Sequence, residues 1–268
     1  MQYCAINPAI KKPELSDAAS IIDINDNMDV IDSSIGTGWV NAPALTFSAA
    51  DAPVYTVTAA RDYVCTIPVG ARIALTHSGA TKYFIVVKIS RSLPEYDLIY
   101  TLYGGTDYTL AAGAITNPYY SIAKAPLGFP LDPAKWTVTF TDSTKREQAT
   151  PTKGAWYNLG SLSVAVPIGA WRVRSKILAQ VNKSDGVWVD LFVTISTGNN
   201  NESTPELTDK VFVNPSDGFA FVAKAQGLIV LDSKTTHYFN AKTGGTVSTI
   251  EFSNDQMAMV VKFECAYL

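Results

Sequence analysis

The side chains best suited to ligand chemistry lie in the second half of the chain. Trp156, Trp171 and Trp188, with Tyr157 and Tyr238, offer flat apolar faces of the kind that stack on sugar rings. Trp171 sits inside an apolar run and reads as core, whereas Trp188 follows Asp185-Gly186 and reads as lying near a turn. The stretch Thr197–Pro205 (TGNNNESTP) is polar throughout, so Asn199, Asn200 and Asn201 join Trp188 as candidate ligand-binding residues. The same side chains would equally solvate a long hairpin connection. Tyr119 and Tyr120 offer a second aromatic surface earlier in the chain.

Catalysis finds less support. The two histidines, His77 and His237, have no nucleophile motif beside them, neither a G-x-S-x-G elbow nor a cysteine-centred signature. Asp185, Asp190, Glu202, Glu206, Asp209 and Asp217 gather in one stretch, and two carboxylates at roughly 5–9 Å would suit glycoside cleavage. Asp23-x-Asn25-x-Asn27 imitates a calcium loop, but Met28 stands at the turn glycine and Ser34 at the closing glutamate, so a solvated helix face is the better reading. Cys4, Cys65 and Cys265 are few, odd in number and far apart, which gives neither a zinc set nor a disulfide framework. The expectation is a non-enzymatic protein with no catalytic residue, metal or cofactor.

Composition narrows the partners. In 268 residues, 47% are hydrophobic and only 17% charged, with a formal net charge of −3. That leaves no basic surplus for phosphate backbones, so no nucleic acid is expected. No stretch approaches the roughly 20 apolar residues of a membrane span, and the opening residues lack a signal-peptide pattern. The expectation is a product made in the cytoplasm, without membrane insertion.

The elements that must position these residues are mainly β. One helix is predicted first: Ile21, Ile24, Met28, Ile31 and Ile35 fall at 3-4-3-4 spacing, an a/d seam set among Asp and Asn. Pro13 and Ser16 or Ser20 are its start signals, and Gly36 its C-terminal cap. A helix of about four turns is marginal alone, so the stripe must be covered. Isoleucine at both seam positions favours a homotrimer; packing on the chain's own β domain is the alternative. After it come β-branched and aromatic runs at Val54–Thr58, Tyr63–Ile67, Arg72–Thr76, Lys82–Ser90, Asp97–Tyr103 and Trp136–Thr141, broken by turn residues. The polar segment Asp142–Gly154 reads as a linker, and about nine further strand candidates beyond it read as a sandwich or jelly roll. The expected domains are 1–37 (N-terminal segment and stalk helix), 38–145 (β-rich shoulder) and 146–268 (jelly-roll head).

Two runs carry a resemblance. Gly70–Ser90 (GARIALTHSGATKYFIVVKIS) and Gly104–Pro130 (GGTDYTLAAGAITNPYYSIAKAPLGFP), entered through Gly38-Trp39, resemble the β-rich middle domain of phage and prophage tail-tip receptor-binding proteins of siphophages infecting Gram-positive hosts. Leu162–Ile177, Thr235–Asn240 and the closing Cys265-Ala266-Tyr267-Leu268 are similar to trimeric jelly-roll heads of the tumour-necrosis-factor type. The resemblance implies a homotrimer at a virion tail tip whose heads bind a host cell-wall glycan, teichoic acid or polysaccharide, while the N-terminal end meets other tail or baseplate proteins. A scaffold that docks other virion proteins, and a cell-wall or capsule depolymerase, are the rival readings.

Overall fold

The computed structural model describes residues 21–59, 67–92, 97–183, 187–213 and 220–268, without the side chains of Ile21, Asp23 and Ser33. The chain divides into two compact units, Met1–Trp136 with Tyr267–Leu268, and Thr137–Ala266.

The first unit begins with helix α1 (Ile21–Thr37), 17 residues and about 25 Å long. Its cap is Gly38 and not Gly36: Gly38 adopts φ +74 and its N–H donates to Ser34 O at 2.9 Å, which satisfies one of the last helical carbonyls. The predicted start signals lie outside the described residues. Among the seam residues, Ile24, Met28 and Ile35 are 54%, 53% and 78% exposed, so these three are not packed on the chain's own β structure, whereas Ile31 is half-buried. No helix among the described residues is long and apolar enough to cross a membrane.

Seven antiparallel strands follow: β1 (Val40–Asn41), β2 (Leu45–Asp51), β3 (Val54–Ala59), β4 (Arg72–His77), β5 (Ala80–Arg91), β6 (Leu98–Tyr103) and β7 (Ile115–Ser121), in the order β1-β7-β4-β5-β6-β3-β2. Their alternating residues build a core from Tyr55, Val57, Ile73, Leu75, Phe84, Val86, Tyr100 and Leu102. The predicted run Tyr63–Ile67 falls almost wholly outside the described residues. Beside the core, Phe129 and Trp136 stack at 5.1 Å, and the buried Arg72 guanidinium lies 5.1 Å from the Phe129 ring. Arg72 also donates to the carbonyls of Gly70, Lys124 and Tyr267, so each nitrogen of the buried guanidinium has a carbonyl acceptor. Gly105 is the one residue type its turn admits: φ is +64, and a Cβ would meet Lys135 O at 2.3 Å.

The second unit holds β8 (Thr137–Asp142), β9 (Arg146–Ala149), β10 (Trp156–Val166), β11 (Gly169–Asn182), β12 (Val189–Ser196), β13 (Thr208–Val213), β14 (Ala220–Ala223), β15 (Gln226–Leu231), β16 (Thr235–Thr243), β17 (Thr249–Phe252) and β18 (Met259–Cys265). One sheet runs β10-β16-β12-β13; the other runs β8-β18-β11, with β15 pairing β11 on its free side and β14, β17 and β9 extending it. Leaving out those three extensions, the order is that of a two-sheet jelly roll. Phe140 meets Phe239 at 4.7 Å and His237 meets Phe263 at 5.3 Å, contacts that cross from sheet to sheet.

The domain boundary differs from the expected one. It falls at Trp136/Thr137, and the run predicted as Trp136–Thr141 in the shoulder is β8 of the second unit. The supposed linker holds β9, which pairs with β17 from Arg146↔Phe252 to Ala149↔Thr249. Its polarity is that of an edge strand pinned by charge: Arg146 forks onto both Asp142 oxygens at 3.0 Å, and Lys145 reaches the buried Glu251 at 2.7 Å.

Candidate functional site

Antiparallel register lines up four outward-facing residues across the β10-β16-β12-β13 sheet. Trp156 pairs with Lys242, Lys242 with Phe192, and Phe192 with Lys210. The row alternates aromatic and cation over about 14 Å at roughly 4.8 Å per strand. Lys242 Nζ sits 4.4 Å from the Trp156 ring centre and 4.5 Å from that of Phe192, and Lys210 Nζ lies 5.2 Å from Phe192. Trp156 and Phe192 are edge to face at 6.2 Å. Lys210 also pairs with Asp190 at 3.1 Å.

The neighbouring rows on this face contain the residues proposed from sequence. Two positions along one way, Asn158, Asn240, Thr194 and Thr208 are in register, and the 197–204 loop folds down on them. Asn158 donates its backbone N–H to Asn200 Oδ1 at 2.6 Å and its amide to Asn199 Oδ1 at 3.1 Å. The buried Asn240 amide donates to Gly198 O at 2.9 Å and Asn201 O at 2.8 Å, and its oxygen accepts from Asn200 N at 3.2 Å. Ser196, Thr197 and Ser203 hydroxyls close the loop base at 2.7–3.1 Å. The asparagine loop is thus largely committed to its own fold, and the carboxamide oxygens of Asn199 and Asn200 are already in use.

In the other direction Phe212 pairs with Asp190, and Trp188 stacks on Phe212 at 5.3 Å with 25° between the planes. Both rings are more than half exposed, at 53% and 59%. Trp188 and the asparagine loop therefore stand at opposite ends of β12, whose eight residues span about 25 Å. They are the two ends of one face, and the lysine–aromatic row is its middle. Sequence reasoning singled out Trp156 but missed Phe192, Lys210, Lys242 and Phe212. The available signal was a Lys or aromatic at alternate strand positions; what joins them is cross-strand register, which no short-range pattern discloses.

The other chemistry-bearing residues are placed differently. Trp171 is fully buried and donates to Pro167 O at 2.8 Å, a core residue. His77, His237 and Cys265 are buried. Burial pushes the His237 imidazole pKa down, because the charged form is the one desolvated. Asp209 caps the backbone N–H groups of Lys210 and Lys224 at 2.9 Å, and Glu202 accepts from Thr208 at 2.6 Å. Asp185 and Asp217 lie outside the described residues, as do Cys4 and Cys65. Among the described residues no group of His, Cys, Asp and Glu could hold a metal ion.

Comparison with known proteins finds no matching family model and no matching curated protein. Solved structures give faint likenesses. The infectious bursal disease virus Gx strain structure aligns at TM-score 0.32 and 10% identity over 83% of this chain and 55% of that one. The VP2 subviral particle of infectious bursal disease virus aligns at 0.29 and 12% over 84% and 63%. Dimeric latent PorU from Porphyromonas gingivalis aligns at 0.25 and 12% over 85% and 24%. The chain spans less than two thirds of each of these three, and at such scores the likenesses carry no argument about function.

Proposed function

We propose that the chain is a non-catalytic virion tail protein that works as a homotrimer and attaches to host cell-wall carbohydrate through the outward face of the β10-β16-β12-β13 sheet. The observation that carries this is the registered Trp156–Lys242–Phe192–Lys210 row, continued by the exposed Phe212 and Trp188. Aromatic faces suit the C–H faces of sugars, and lysines held over those rings suit the phosphates of a teichoic acid. The tail assignment itself rests on the resemblance of the Gly70–Ser90 and Gly104–Pro130 runs. The exposed seam of α1 supports trimerisation, and the N-terminal end is assigned to other tail or baseplate proteins. Three such faces on one particle gain avidity on a repeating surface, so a weak single site suffices.

The test is binding of the full chain to purified Gram-positive cell walls, with the supernatant assayed for reducing ends. Binding that falls in Trp156→Ala and Lys242→Gln, without released sugar, supports the reading. Released saccharide favours the depolymerase. Failure to bind walls, with capture by another virion protein, favours the scaffold.

A further inference from the structure

The strand edges of the second unit differ in how they are guarded. β9 carries Arg146 and Glu147, and β13 carries Asp209 and Lys210, charges that discourage a further strand. β15 (QGLIVL) carries neither charge nor proline, and among the described residues it pairs with β11 alone. Two hydrogen bonds fix which of its backbone groups are left over. Ser175 N–H donates to Ala225 O at 2.9 Å on the β15 side of β11, and Ala266 N–H donates to Ala170 O at 2.9 Å from the β18 side. Backbone groups alternate sides along an antiparallel strand, so Trp171 and Val173 bond toward Ile229 and Gly227, while Ala170, Arg172 and Arg174 bond toward β18. The N–H and C=O groups of Gln226, Leu228 and Val230 therefore point to the open edge, where no strand among the described residues pairs with them.

The side chains beside this edge select its occupant. Leu228 and Val230 stand on the outer face, 61% and 70% exposed, whereas Ile229 between them is buried. Register sets Arg174 beside Gln226 with Lys262 beyond it, and Arg172 beside Leu228 with Glu264 beyond it. Lys176 follows on the same face of β11, so four exposed cations share this face with Glu264, which lies 3.9 Å from Arg174, in a chain of net charge −3. A second copy of β15 would bring no acid to these cations and would add its own. A strand with apolar side chains opposite Val230 and Leu228 and a carboxylate opposite Gln226 covers the exposed aliphatics and sets its acid two strand spacings, about 9.6 Å, from Arg174, a gap that a glutamate and an arginine close from either end. We propose that β15 accepts an extended acidic segment of another protein as an added antiparallel strand, with backbone bonds supplying affinity and the basic face supplying selection. The edge belongs to the opposite sheet from the lysine–aromatic row, and the inference does not depend on the wall-binding reading.

The test uses the full chain and a labelled peptide, Thr-Val-Thr-Val-Thr-Glu-Thr, capped at both ends. Its companions are a version with Lys in place of Glu and a version N-methylated at both valines, which removes the donors facing Val230 and Leu228. Fluorescence anisotropy measures binding, and amide exchange reads the edge. The acidic peptide should bind and protect the amides of Leu228 and Val230, the Lys version should bind about tenfold more weakly, and the N-methylated version should not bind. Val230→Pro removes an outward N–H without touching the β11 ladder and should abolish binding; Leu228→Lys, a guard charge at an exposed position, should do the same where proline disturbs the fold. Arg174→Gln should narrow the difference between the Glu and Lys peptides. Leu228→Lys should leave cell-wall binding as it is in the wild type, so the two sites fail separately. No binding of the acidic peptide overturns the proposal, as does equal binding of the Lys or N-methylated version. Displacement of the peptide by inorganic polyphosphate without protection at Leu228 marks a bare basic surface and overturns it too. Self-association of the peptide-free chain that Leu228→Lys removes assigns the edge to a second copy instead.

Discussion

Replacing Ile24 with Asp is the sharpest probe of the proposed stalk. In a single chain Ile24 is 54% exposed, Met28 53% and Ile35 78%. Full burial of such side chains contributes about 1.5–3 kcal/mol each, so covering the exposed part of Ile24 is worth about 1–1.5 kcal/mol. The change is made three times in a trimer, which loses about 3–5 kcal/mol, or two to three and a half decades in the association constant. Those figures are a floor, because an aspartate at the seam must also be desolvated or repelled by its copies. Ile22 supplies the control: it is 67% exposed but lies off the 3-4 seam, at a position that would face outward in the proposed three-stranded coil. Sedimentation equilibrium over a concentration series reads the assembly, and amide exchange across Ile21–Thr37 reads the helix if head contacts hold the trimer together. Wild type should be trimeric at micromolar concentration with a protected helix, Ile22→Asp should match it, and Ile24→Asp should dissociate it or deprotect the helix. A monomeric wild type, or equal losses in Ile22→Asp and Ile24→Asp, would refute the seam.

Further outcomes follow from the two units. Lys242→Gln should lower wall binding and flatten its salt dependence, whereas Trp156→Ala should lower it at every salt concentration, by a few-fold to about tenfold for a monovalent head. Arg72→Met leaves the carbonyls of Gly70, Lys124 and Tyr267 without their donor and should destabilise the first unit by about 3 kcal/mol or more in a denaturant titration. His237 has a folded pKa depressed below its unfolded value, so its contribution is complete above about pH 6.5 and is lost as pH falls below that. The melting temperature of the second unit should therefore drop between pH 7 and 5, and less steeply in His237→Leu. Asp142 is held low, first by its hydrogen bond from Arg146, so Asp142→Asn should release β9 at neutral pH, seen as faster exchange at Arg146–Ala149.

Strand positions were legible wherever β-branched and aromatic residues alternate. Val54–Thr58, Arg72–Thr76, Lys82–Ser90 and Asp97–Tyr103 coincide with β3 to β6 to within a residue or two. The helix was legible for the same reason, at period 3.5 instead of 2. Strands carried by other interactions were not. β9 (REQA) has hardly any apolar pattern, since ion pairs and β17 hold it, and β7 carries Pro118 and a positive φ at Asn117. Reading β9 as linker displaced the domain boundary. At the candidate site, Trp188 and the asparagine loop were visible because exposed polar and aromatic residues near turns stand out locally. The lysine–aromatic row was not, because its members come from four strands between residues 156 and 242.

On the proposed reading, the exposed aromatics of that face and the seam of α1 are linked through valency. On a face whose Phe212 and Trp188 rings are more than half exposed, a sugar stacked on them keeps water on its far side, unlike one in a deep pocket. On the proposed reading its affinity for a single repeat is modest, with stacking supplying about 0.5–1.5 kcal/mol per ring. Useful attachment then requires several faces engaged together, where linkage gains on the order of 10²–10⁴ over one site. An assembly would supply that, and on the proposed reading the exposed seam of α1 holds it together. Ile24→Asp should therefore weaken wall attachment far more than any loss at the sheet face itself, and a trimerising peptide fused ahead of α1 should restore attachment without touching a single ligand contact. Restored assembly with attachment still lost would break the link between stalk and affinity, and would place the requirement for Ile24 in something other than valency.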